Sequence, residues 1–186
     1  MIQPSTIRKD DFFSQLLWEF DIGNLNSIYD LDIPPDTYST LLYNTNDLFL
    51  NEEQFNTLMK LIPITDTVYV VQVDSEEVYE FCLPISYEDY TSLNLFSITF
   101  LSSKNFNWVI IIDEELESGV GLIISNAELI NDFNSMYKNG LKDFSDLISF
   151  YYRDASRNAL SCHNMIKILS LLRVTSNNET TDLSSS

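Results

Sequence analysis

Basic residues are scarce in the first three quarters of this chain. Through Tyr137 there are 4 Lys+Arg against 23 Asp+Glu, a net of −19. From Lys138 onward 6 Lys+Arg against 5 Asp+Glu give +1, which completes the formal −18 of the 186 residues. A surface charged in this way repels nucleic acid and anionic lipid and attracts cationic partners. Glycine is also scarce, with 4 residues, which argues against Gly-rich phosphate loops. The two cysteines, Cys82 and Cys162, are too few for a secreted disulfide scaffold of this size. They read as reduced thiols or as one bridge. His163 is the single histidine, so a metal site built from Cys and His lacks ligands. It adjoins Cys162, but neighbouring helical residues do not face each other, and that pair alone cannot activate a thiolate.

Long apolar runs are missing too. Trp108 to Ile112 is far too short to span a bilayer. Met1-Ile2-Gln3-Pro4 does not read as a secretion leader, so a cytoplasmic location is expected. No Gly-x-Ser-x-Gly, Walker or kinase pattern is present. Gly119-Val120-Gly121 lacks the third glycine of a dinucleotide fingerprint and its strand-to-helix setting. The acidic stretches lack the ligand spacing of an EF-hand. No enzyme activity, metal or cofactor is expected.

What is present suits a globular core. Hydrophobic residues make up 45% and aromatics 13%, too apolar for a disordered acidic tail. Spacings of three and four predict a helix over Asp10–Phe20, built on Phe13, Leu16, Leu17 and Phe20. A short helix is expected over Asp36–Tyr43. A firmer one follows Asn51, with Glu52 and Glu53 in its first turn and Pro63 after it. Thr67–Val73 and Val78–Leu83 read as a β-hairpin joined by Asp74–Glu77. Ser86 caps a helical turn, and Phe96–Leu101 reads as a strand.

Trp108–Ile112 and Gly119–Ile124 are strands on either side of an acidic link, followed by a helix capped by Asn126 that runs to Tyr137. Further helices are expected over Asp143–Tyr152 and Asn158–Arg173. Segregated helices and short strand links predict the α+β class: a mostly antiparallel sheet of about four to six strands, flanked by N- and C-terminal helices. One globular domain over 1–174 and a disordered polar tail over 175–186 are expected.

Two acidic clusters stand out as partner-binding candidates. Asp113, Glu114, Glu115 and Glu117 put four carboxylates within five residues. Asp74, Glu76, Glu77 and Glu80 form the second cluster, which joins the first if the two hairpins are neighbours. Crowded like charges repel, and a basic partner relieves that repulsion on binding. The plainer alternative is that both are solvated hairpin tips. Tyr87, Tyr90, Tyr137, Tyr151 and Tyr152 are either interface anchors or the edges of a core.

Phe96-Ser97-Ile98-Thr99-Phe100, Trp108-Val109-Ile110-Ile111-Ile112 and Gly119-Val120-Gly121-Leu122-Ile123-Ile124, followed by a helix, form a unit over about a quarter of the chain. It resembles a layout seen in bacterial immunity proteins that protect against polymorphic or contact-dependent growth-inhibition toxins. Some of those families carry a His-Glu pair after the Trp strand, where this chain has Asp113-Glu114. The resemblance implies a small, acidic, non-catalytic cytoplasmic antitoxin whose partner is a toxin domain, frequently a nuclease with a basic site. The acidic charge itself predicts no direct contact with nucleic acid or membrane. Two other classes fit the composition: a viral nucleic-acid mimic that inhibits a DNA-processing enzyme, and a small enzyme using Asp/Glu acid–base chemistry.

Overall fold

The computed structural model describes residues 2–20, 37–43, 45–46, 48–112 and 120–136. In chain order the elements are β1 (Ile2–Pro4), α1 (Lys9–Phe20), β2 (Tyr38–Tyr43), α2 (Glu52–Leu61), β3 (Thr67–Gln72), β4 (Val78–Cys82), α3 (Tyr87–Thr91), β5 (Thr99–Ser103), β6 (Trp108–Ile112), β7 (Val120–Ser125) and α4 (Ala127–Met136). The strands form one sheet in the order β1-β4-β3-β5-β6-β7-β2, and every neighbouring pair is antiparallel. The fold is therefore α+β, as composition and patterning predict, with seven strands rather than four to six.

The two additional strands are the sheet's edges. Residues 38–43, expected to be helical, instead form β2 and pair with β7 through Leu42↔Gly121 and Ser39↔Ile124. Ile2–Pro4, read only for a leader, pairs with β4 through Ile2↔Phe81. Pro4 is tolerated there because an edge strand has one row of N–H groups outside the ladder.

Alternation along the strands sorts the core into two faces. One carries Val68, Val70, Phe81, Leu101, Trp108, Ile110, Ile112 and Ile123. It packs against Phe55 and Leu58 of α2, Tyr90 of α3, and Ile130 and Phe133 of α4. On the opposite face α1 lies over β3 and β5. Phe12 meets Tyr69 edge-on at 6.2 Å between centroids, and Phe13 meets Phe100 edge-on at 5.3 Å. All five residues of β6 are buried, which explains why this central strand reads as an unbroken apolar run rather than an alternating one.

The α2 start is specified locally. Asn51 Oδ1 accepts from the Gln54 N–H, and Gln54 Oε1 accepts from the Asn51 N–H, both at 2.9 Å. This reciprocal box satisfies two groups that a helix terminus otherwise leaves open. Two phenols fix the same point from above: Tyr90 Oη accepts from the Leu50 N–H at 3.1 Å, and Tyr87 Oη donates to the Leu50 carbonyl at 3.0 Å. Tyr90 is fully buried, so of the tyrosines weighed as surface anchors it is a core residue. Tyr87 is half-buried and serves the same joint. Tyr137, Tyr151 and Tyr152, the helices expected over 143–173 and the polar tail lie outside the described residues.

Candidate functional site: an acidic helical layer and its cleft

The β3–β4 connection places Asp74, Glu76 and Glu77 in an exposed turn, with Glu80 two residues into β4. Their negative charge is partly answered within the chain. Lys9 Nζ approaches Glu76 at 3.9 Å and donates to the Val73 carbonyl. Tyr79 Oη donates to Glu77, and that contact raises the tyrosine above its ordinary range. Glu80 accepts from Ser5 Oγ at 2.7 Å and Gln3 Nε2 at 2.9 Å, and these bonds hold its carboxyl below the usual range. Glu80 thus fastens β1 to β4. A shallow recess of about 390 Å³ beside this turn holds charges of both signs, including Arg8, Lys9, Asp10, Glu76 and Glu77.

Asp113, Glu114, Glu115 and Glu117 lie outside the described residues. The strand residues that bracket them, Ile112 and Val120, sit at the sheet end where β3 runs into the Asp74–Glu77 turn. One strand, β5, separates the two hairpins in the sheet order.

The helical layer carries a more one-sided charge. Glu52 and Glu53 open α2, Glu88 and Asp89 open α3, and Glu128 and Asp132 lie on α4. Against these six carboxylates the described part of the layer offers one cation, Lys60, in the last turn of α2. Five of the six acids are exposed, Glu53 being half-buried. The ion pairs between described residues, Arg8–Asp11 and Lys9–Glu76, both lie off this layer. Sequence reading missed the layer because first-turn acids are fully accounted for by the helix dipole. Only the tertiary fold sets three such helices side by side.

At the sheet end opposite the Asp74–Glu77 turn, a cleft of about 580 Å³ opens between the end of α2, the β5–β6 turn and the start of α4. Asp66, Glu128 and Asp132 contribute carboxylates to its wall, and Asn105 and Asn107 contribute amides. Among the described residues no Lys, Arg, His or Cys lines it. The wall is firmly held. Asp66 N–H donates to the Pro63 carbonyl at 2.8 Å, and the Asp66 carboxylate accepts from the Thr67 N–H at 2.9 Å. Ser102 Oγ donates to the Trp108 carbonyl and Ser125 Oγ to the Asn107 carbonyl, each at 2.8 Å. On α4, Asn126 Oδ1 accepts from the Leu129 N–H at 2.9 Å and caps the helix. Partial burial raises the Asp66 carboxyl above its ordinary value, with the Thr67 bond opposing that shift. A carboxylate-lined recess is chemically suited to holding a cation.

Among the described residues no helix is long and apolar enough to cross a membrane. Comparison with family models, curated proteins and solved structures finds no match to this chain.

Proposed function

We propose that this protein is a non-catalytic binding protein that neutralises a basic protein partner, acting as an immunity protein does toward a toxin domain. The observation that carries the reading is the helical layer, where five exposed carboxylates, Glu52, Glu88, Asp89, Glu128 and Asp132, stand with one lysine among the described residues. Such a field steers a cationic surface into encounter and accelerates association at low salt. The Asp74–Glu80 hairpin, already tied to Lys9, Gln3 and Ser5, contributes less than its sequence suggests. The Asp113–Glu117 link remains part of the proposal through the strand ends that bracket it. Once docked, the bulk of the domain occludes the partner's own polyanion site.

A second reading draws on the same observation. A nucleic-acid mimic presents carboxylates across a surface as phosphates are presented along a strand. Acids distributed over three helices fit that better than acids bunched in loops. Both readings make the chain a decoy for a cationic site. They differ in whether the partner is a toxin or a DNA-processing enzyme.

The test is coexpression in growing cells with the product of the adjacent upstream gene. Toxicity of that product alone, relieved by this chain, is the expected result. Rescue should weaken when Glu52, Glu88 and Glu128 become Gln and Asp89 becomes Asn in a variant that melts as wild type does. No toxicity, or rescue indifferent to those changes at low and moderate salt, rejects the immunity reading.

A further inference from the structure

We propose that the apolar recess between the end of α2 and the loop leading into α3 seats one aliphatic side chain of the basic protein partner, whose flanking cationic residues are held by the field of Asp66 and Glu88. The proposal rests on the reading of a basic protein partner and specifies where its apolar contact is made.

The recess measures about 310 Å³, and six of its seven lining residues are apolar. Ile62 belongs to the main core, and Met59, Leu83 and Ile85 pack against it half-buried, so the wall is preformed. Ile64 also lines the recess and is 67% exposed. The two loops that make the recess are brought together at the ends of the β3–β4 hairpin, where the Leu83 N–H donates to the Asp66 carbonyl at 3.3 Å. Each is anchored by a helix end. The Ile62 N–H donates to the Leu58 carbonyl at 3.0 Å and closes α2, while Ser86 Oγ accepts from the Asp89 N–H at 3.0 Å and opens α3. A single exposed apolar residue is ordinary. One that borders a concave apolar wall, with polar residues around it, has the form of an interface pocket.

Charge selects the occupant. Lys60 is the one charged residue lining the recess. Asp66 lies two residues from Ile64 and Glu88 three from Ile85, which puts them within about 7 and 11 Å along the backbone. Those distances are comparable with the screening length of about 8–10 Å, so both charges act on a ligand seated there. Asp89, exposed and one residue further on, adds a third carboxylate. Three carboxylates against one ammonium favour cationic flanks over acidic ones. A second copy of the chain, with its formal −18, is repelled. The volume stands at the low end of small-ligand sites, which suits one side chain. Ile62 lines the carboxylate cleft as well, so the apolar seat and the acidic wall adjoin across the Pro63–Asp66 turn.

The experiment uses the full chain labelled with ¹³C at the methionine methyls and the probe acetyl-Lys-Leu-Lys-amide. The chain has 4 methionines, and Met59→Leu assigns the signal at the recess. Met136, exposed on α4, serves as an internal control. The expected result is a saturable movement of the Met59 signal with a Kd on the order of 1 mM, while Met136 stays fixed. Acetyl-Lys-Ser-Lys-amide keeps the charges without the aliphatic group, acetyl-Glu-Leu-Glu-amide inverts the charges, and both should leave the Met59 signal in place. Ile64→Ala, a surface change, should weaken binding about threefold, and Lys60→Gln should strengthen it about twofold. A flat titration at roughly twentyfold above that Kd, or equal movement with the serine or glutamate probe, overturns the proposal. Movement of the Met59 signal on dilution without peptide assigns the recess to a second copy and overturns it likewise. The underlying reading fails separately: rescue in cells together with a flat titration removes the recess alone, whereas a saturable titration without rescue by the unaltered chain removes the toxin alone.

Discussion

Replacing Gly121 with alanine tests how the centre of the sheet is packed. In an ordinary strand the change is favourable, because alanine loses less conformational freedom on folding, by about 0.4–1 kcal/mol. Here the sign should reverse. Gly121 lies in β7 between Ile112 of β6 and Leu42 of β2. A Cβ at that point would stand 2.9 Å from the Ile111 carbonyl oxygen, 3.3 Å from Ile112 Cγ1 and 3.4 Å from Leu42 Cδ1. The first contact is with backbone, which cannot rotate away, and relieving it means spreading β6 from β7. Overpacking of this kind costs about 1–3 kcal/mol, which outweighs the entropic gain and leaves a net loss of roughly 1–2 kcal/mol. Urea unfolding followed by circular dichroism should show a lower midpoint with an unchanged slope. A midpoint equal to or above wild type would refute the packing argument.

Three further outcomes follow from hydrogen bonds and titrating groups. Tyr90→Phe removes the acceptor of the Leu50 N–H inside a closed core and should cost about 1–3 kcal/mol; a loss below about 0.5 kcal/mol by chemical denaturation would show that the phenol is dispensable. Asp66→Asn can keep the acceptor for the Thr67 N–H and removes a carboxylate that burial disfavours. Because the folded carboxyl titrates above its unfolded counterpart, it subtracts stability once pH rises past both values. The variant should therefore melt higher than wild type at neutral pH, the two converging near pH ~3, and thermal scans across pH check the convergence. Glu80→Gln has the opposite sign. The folded carboxyl is held low by Ser5 and Gln3, so its contribution is present at neutral pH and lost as pH falls through the carboxylate range; hydrogen exchange at the β1–β4 edge should rise in the variant at pH 7 and match wild type in acid.

Several elements of this fold are legible without coordinates because their causes are local. Asn51 as a cap with Glu52 and Glu53 in the first turn specifies a helix start, and the structure places α2 there and adds the reciprocal box between Asn51 and Gln54. Thr67–Gln72 and Val78–Cys82 are β-branched and aromatic with a polar link of hairpin length, and they pair as a hairpin. β1 and β2 are not legible in this way. Each gains its strand identity from a partner far along the chain, Phe81 for Ile2 and Gly121 for Leu42, and side-chain preference within a six-residue window carries no trace of that pairing. The tyrosines show the same limit from the other side. Tyr87, either an interface anchor or a core edge by its sequence, is half-buried with its hydroxyl on the Leu50 carbonyl.

The candidate site divides along the same line. An excess of carboxylates over the first three quarters is a property of composition, and with it comes the cationic class of partner. Which acids are answered within the chain and which remain open is a matter of position. Lys9 reaches Glu76 because α1 starts beside the β3–β4 turn, while Asp66 meets Glu128 and Asp132, distant from it in sequence, at one cleft because α2, the turn before β3 and α4 converge at one end of the sheet. Charge is additive along a chain and can be counted from its letters. Electrostatic potential depends on distance, and only folding sets the distances.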